Sequence, residues 1–182
     1  MEKKDNILAL DHRFAYIYAR GGNPIRTAGQ IPEKKKHILE EVSLSPVYKE
    51  QPQEQTNFQN LQEKLLSFGG SEICFPEIEE DMEKILSRGQ LWLGDRTRLT
   101  KGKDSRCHEN ACNLWLANKA EHEIAICTGY ALPKDGAWRQ HSWLVLRQPR
   151  SVEIIETTAR RVAYFGFVMT TEEANEFVDN NY

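Results

Sequence analysis

The sequence predicts an α+β domain in its last two thirds, and three observations carry that expectation. Apolar residues recur at helical spacing between positions 58 and 86; a cysteine opens a further helix at position 107; and segments rich in β-branched and aromatic residues, separated by Pro, Asp and Gly, fill the stretch from 124 to 169. The chain has 182 residues, of which 40% are hydrophobic, enough for one ordinary core. Two regions are expected: an arm or linker over residues 1–56, and a domain over residues 57–182.

The first region is polar. Leu8, Leu10, Phe14, Ile17 and Tyr18 offer a short element that can dock on the core, but Gly21-Gly22-Asn23-Pro24 ends it. The hydrophilic run from Tyr48 to Thr56 reads as a linker or exposed arm.

The domain begins with a helix that places Phe58, Leu61, Leu65 and Leu66 on one side, stopped by Gly69-Gly70. Pro76 stands near the start of a second helix carrying Ile78, Met82, Ile85 and Leu86, with Gly89 past its end. Residues Leu91 to Lys103 read as a connection. Cys107, Ala111 and Trp115 then fall at i, i+4 and i+8, so the cysteine lies in the first turn of a helix and on its apolar side. Strands are expected over Ile124 to Leu132, Gln140 to Arg147 and Val152 to Thr158, and a fourth over Arg161 to Met169. Thr171 is the expected N-cap of a closing helix through Glu173 to Phe177.

Charge and composition narrow the function. With 24 basic and 27 acidic residues interspersed, no basic stripe exists to follow a phosphate backbone, so nucleic acid is not an expected partner. The charged start lacks the apolar stretch of a signal peptide and no run reaches membrane-spanning length, which points to a cytoplasmic protein without a membrane partner. Cys74, Cys107, Cys112 and Cys127 are expected as free thiols.

Cys107 is the candidate nucleophile. A thiol at a helix start meets the positive end of the helix dipole and unpaired N–H groups, which favour the thiolate and can also hold an oxyanion. If the second and third strands form a hairpin turning at Gln148-Pro149, His141 lies opposite Glu156, and Glu153 pairs with Leu144 on the other face. A loop two residues longer moves the pair to a diagonal and keeps both side chains on one face. Glu156 is therefore the expected orienter of His141, provided that the Cys107 helix packs on that face. Trp138, in the turn that starts at Lys134, is the candidate exposed aromatic at the cleft mouth. Trp143 is read as core, with substrate contact as its alternative.

Cys107 opening a helix, then Ile126-Cys127-Thr128-Gly129-Tyr130, His141-Ser142-Trp143 and Glu156-Thr157-Thr158, resembles the transglutaminase-like branch of the papain-like cysteine protease superfamily. The resemblance covers about residues 90 to 160. It implies a helix bearing the cysteine packed on an antiparallel sheet, and an acyl-enzyme formed on Cys107 with His141 as base and then acid. Glu156 stands where that family has Asp, so the carboxylate is displaced by about one bond length. Peptides, proteins or small amides are the implied substrates, and no cofactor is called for. Two other readings remain: a papain-like binding module without catalysis, and a small metal site using Cys107, His108 and Cys112. For the metal, Cys107 and Cys112 point about 140° apart on a helix, unlike a tetrahedral zinc set.

Overall fold

A computed structural model describes residues 52–76, 78–149 and 151–182, and these form a mixed α+β fold. Its helices are α1 (Pro52–Ser67), α2 (Met82–Arg88), α3 (Cys107–Asn118) and α4 (Thr171–Asn181). Its strands are β1 (Glu72–Cys74), β2 (Gln90–Leu93), β3 (Thr97–Leu99), β4 (Ile124–Leu132), β5 (Ala137–Gln148), β6 (Ser151–Glu156) and β7 (Ala163–Val168). No described helix is long and apolar enough to cross a membrane.

The strands form one curled sheet in the order β2-β7-β4-β5-β6-β3, with β1 also paired to β5. The sheet is mixed, whereas an antiparallel one was expected: β1 runs parallel to β5, and β3 runs parallel to β6. These two pairings come from three-residue strands whose partners are more than 50 residues away, so no local pattern announces them. The same cause turns the expected connection from Leu91 to Lys103 into β2, a 3-10 turn (Gly94–Arg96) and β3.

Most of the expected arm lies outside the described residues, but Pro52 to Thr56 form the first turn of α1 and do not belong to a linker. The second helix starts later than its apolar spacing suggests, at Met82, and Ile78 is exposed. Thr170, one residue ahead of the expected cap, accepts from the Glu173 N–H while the Glu173 carboxylate accepts from the Thr170 N–H, a capping box that starts α4.

Strand alternation sorts the core into two layers. Leu144, Ile126, Tyr130, Ile155, Phe165 and Phe167 face all four helices, meeting Leu61 and Leu65 of α1, Ile85 of α2, Ala111, Cys112 and Trp115 of α3, and Ala174 of α4. The other face carries Trp92, Cys127, Trp143, Val145, Ile154 and Tyr164. The curl thus encloses a second, aromatic layer, in which Trp92 and Trp143 meet edge to face at 5.5 Å.

Candidate active site

β5 has an interruption along one edge, and the candidate site is built in it. On that edge Ala137 to Arg139 pair with β1 and Leu144 to Gln148 pair with β6, while residues 140–143 have no strand partner there among the described residues. Along the opposite edge β4 continues unbroken from Ala131 to Ile124. Opposite His141, β4 contributes Gly129 (φ 151°), where an added Cβ would lie 2.3 Å from the Phe165 carbonyl oxygen. Glycine there lets β4 and β7 close together at the level of the histidine.

The hairpin register differs from the expected one by two residues. Gln148 pairs with Ser151 and Leu146 with Glu153, so the turn lies one residue later and His141 is diagonal to Glu156. Both remain on the aromatic face, as parity requires. The extra methylene of Glu156 spans the diagonal: its Oε2 sits 2.9 Å from His141 Nε2. The longer side chain also curls back so that Oε1 accepts from the Thr157 N–H, the Thr158 N–H and the Thr158 hydroxyl, at 2.8, 2.8 and 2.9 Å. Tyr164 donates to Oε2 at 3.0 Å. Every lone-pair direction that a carboxylate normally uses is thereby occupied.

Burial alone would push the Glu156 carboxyl up, but the His141 and Thr158 bonds outweigh it and hold its pKa at about 2. Burial likewise works against a charged His141, yet hydrogen bonds to Cys107 and Glu156 raise its pKa to about 9. Since Glu156 holds Nε2, Nδ1 is the ring nitrogen left for the thiol. Burial also opposes the Cys107 thiolate, but His141 and the backbone N–H groups of Ser142 and His108 bring that thiol below its usual value. The three shifts all lie in the direction of one charge-separated set: thiolate, imidazolium, carboxylate.

Cys107 reaches this set by a route not anticipated from the sequence. α3 packs through Ala111, Cys112 and Trp115 on the face of Leu144 and Ile155, opposite the face that carries His141. Its first residue meets the histidine through the unpaired edge of β5, where the Ser142 amide points at the sulfur. The preceding segment is held in place on both sides. Thr100 and Gly102 donate backbone bonds to the carbonyls of Glu156 and Thr157, and Asn110 takes the Lys103 N–H at 3.0 Å and donates to the Lys103 carbonyl at 2.7 Å. The Arg106 side chain does not cap α3, which leaves its first-turn N–H groups for the site. Glu109, the acidic residue of that turn, is paired with Lys103 and Arg106, and this offsets its repulsion of a thiolate.

On the helix-covered side of the sheet lies a cleft of about 510 Å³, whose walls include His108, Gln140, Thr128, Glu79 and Phe177; Cys107 and His141 are not among its lining residues. Glu79 is nearly buried there, accepts from the Tyr130 hydroxyl at 2.5 Å, and is raised above the usual carboxylate range chiefly by burial. Trp138, expected at the cleft mouth, is fully buried: it is the second residue of β5, and its indole N–H donates to the Gly69 carbonyl at 2.8 Å. Trp143 is fully buried too, stacked near His141 at 6.4 Å, and does not line the cleft.

The residues weighed as a metal set part company. Cys107 faces His141, His108 bonds Ser142, and the Cys112 thiol donates to the Phe177 carbonyl. Among the described residues no group of three or more His, Cys, Asp or Glu side chains is arranged to hold a metal. Tyr164 went unnoticed in the sequence, because a tyrosine in an apolar strand reads as core and its partner Trp92 lies in β2, which the sequence reads as a connection. No known protein family, curated protein or solved structure matches this chain.

Proposed function

We propose that the chain is a cysteine-dependent acyl-transfer enzyme, an amide hydrolase or transglutaminase-like transferase with a papain-like arrangement of its site. The observation that carries this reading is the continuous Cys107–His141–Glu156 connection at a helix start, closed by four further donors on Glu156. A buried histidine held by a saturated carboxylate on one nitrogen and a thiol on the other is organised for proton transfer, beyond what packing requires.

In the reaction the Cys107 thiolate adds to an amide or ester carbonyl, forming a C–S bond and placing the negative charge on oxygen. Backbone N–H groups of the first turn of α3 face that charge. As the tetrahedral species collapses, His141 gives its proton to the departing amine or alcohol, and a thioester remains on Cys107. Water or an amine then attacks the thioester while His141 takes its proton, and the thiolate leaves. Water as acceptor yields a hydrolysed product; an amine yields a new amide. Glu156 keeps the ring oriented and its positive charge compensated throughout.

The test is trapping of the thioester. Wild-type protein and Cys107→Ala are mixed with a panel of activated esters and glutamine-containing peptides, quenched in acid and weighed intact. An acyl adduct on the wild type, absent from Cys107→Ala and lost on adding hydroxylamine, is the expected outcome. An equal adduct on both proteins would sink the mechanism.

A further inference from the structure

His108 follows the nucleophile directly, and its side chain has no part in the chemistry above. Its Nδ1 lies 2.7 Å from Ser142 Oγ, and Ser142 Oγ donates to Thr128 Oγ1 at 3.1 Å. Ser142 and Thr128 are buried, and both ends of this line of polar groups, His108 and Thr128, stand on the cleft wall. Ser142 meets the site twice, since its backbone N–H also reaches the Cys107 sulfur. That amide belongs to the stretch of β5 whose β1/β6 edge has no strand neighbour among the described residues, where no ladder of described backbone bonds fixes how far the start of α3 stands from β5.

We propose that the His108–Ser142–Thr128 line is a clamp that sets the Cys107 sulfur against His141, making His108 and Ser142 positioning residues for thiolate formation. The inference rests on the acyl-transfer reading of Cys107. With Ser142 donating to Thr128, the His108 ring donates through Nδ1–H, which a neutral ring supplies. Burial, then the neighbouring His141 charge, keeps that ring below its ordinary pKa, so the clamp closes without a second positive charge beside the imidazolium. The groups that face it are His141 on β5 and Asp81 ahead of α2, with Phe177 of α4 edge-on to the ring at 5.5 Å and Glu79, Glu173 and Glu176 on the cleft walls.

The experiment is the rate of Cys107 alkylation by iodoacetamide against pH, read by peptide mass, in wild type, His108→Ala, His108→Asn, Ser142→Ala and the double variant His108→Ala/Ser142→Ala. Asn places a side-chain N–H at the same bond count from Cα as Nδ1, and Ser142→Ala keeps the backbone N–H while removing the hydroxyl. Far-UV circular dichroism and a thermal melt confirm that each variant is folded. Each alanine variant is expected to slow alkylation at pH 7 by about three- to tenfold, the worth of one hydrogen bond, with the midpoint of the profile moved upward. His108→Asn should recover most of the rate, and the double variant should be no slower than either single one, since both break the same clamp. Profiles that overlay the wild type, or single effects that multiply in the double variant, would overturn the clamp while a fast wild-type Cys107 leaves the acyl-transfer reading standing. A wild-type Cys107 no faster than Cys112 would overturn both.

Discussion

Cys107 and Cys112 stand five residues apart on α3 and are opposites chemically. Cys107 occupies the uncapped first turn, half-buried, with His141 and two backbone N–H groups on its sulfur, and its thiol is shifted toward ionisation. Cys112 lies in the middle of the same helix, fully buried among Ala111, Trp115 and the sheet, and burial pushes its pKa up to about 11. Helix dipole and residue type are shared; position along the helix and what the sheet offers at that height are not. The comparison teaches that α3 presents its apolar side to one face of the sheet and only its tip to the chemistry on the other.

The largest expected break comes from Cys107→Ala, which should abolish turnover and thioester trapping, whereas Cys112→Ala should keep the activity and lose about 1 kcal/mol of stability to the small cavity. Both are checked by a turnover assay beside a denaturant titration. In wild type at pH 7, iodoacetamide should modify Cys107 faster than Cys112 by on the order of 10³ or more, given the small thiolate fraction of a thiol that titrates so high and its burial. Comparable rates, read by peptide mass, would erase the distinction between the two cysteines.

His141→Ala should slow turnover by about 10²- to 10⁴-fold and move the Cys107 alkylation midpoint upward, because the thiolate loses its first partner. Glu156→Gln should act in the same direction and less strongly, since the amide can still accept from the ring but carries no compensating charge.

The effect of pH on stability is smaller and has a definite sign. His141 rises from 6.5 to about 9 on folding, so its contribution is complete below 6.5 and disappears as pH climbs through 9. Glu156 falls from 4.5 to about 2, so its contribution is complete above 4.5 and disappears as pH drops toward 2. Thermal melts should show the wild-type advantage over Glu156→Gln greatest between pH 4.5 and 6.5 and shrinking on either side. An advantage still growing at pH 9 would contradict the imidazolium. Smallest of all, Trp138→Phe should cost about 1 kcal/mol through the lost bond to Gly69 and leave Cys107 alkylation unchanged, as befits an indole in the core.

Much of this was legible from local chemistry. A cysteine at a helix start is visible from its spacing to Ala111 and Trp115, and strand parity puts His141 and Glu156 on one face whichever even register the hairpin adopts. What the residues do not encode locally is who arrives from afar. Trp138 looks like a turn aromatic until β1 runs parallel beside it and the Gly69 carbonyl takes its N–H. β2 and β3 look like a connection until β7 and β6 complete them. The side of the sheet that α3 covers was also hidden, because the interruption in β5 that lets Cys107 through is made by where β1 stops and β6 begins.

That interruption ties reactivity to assembly. Before β1 and β6 have flanked β5 and α3 has settled over Leu144, the sulfur has neither the Ser142 amide nor the imidazole beside it, and it is an ordinary thiol. The shift of Cys107 toward the thiolate therefore needs the flanked β5 and the docked α3 together, and a half-made molecule carries no sharpened nucleophile into its surroundings.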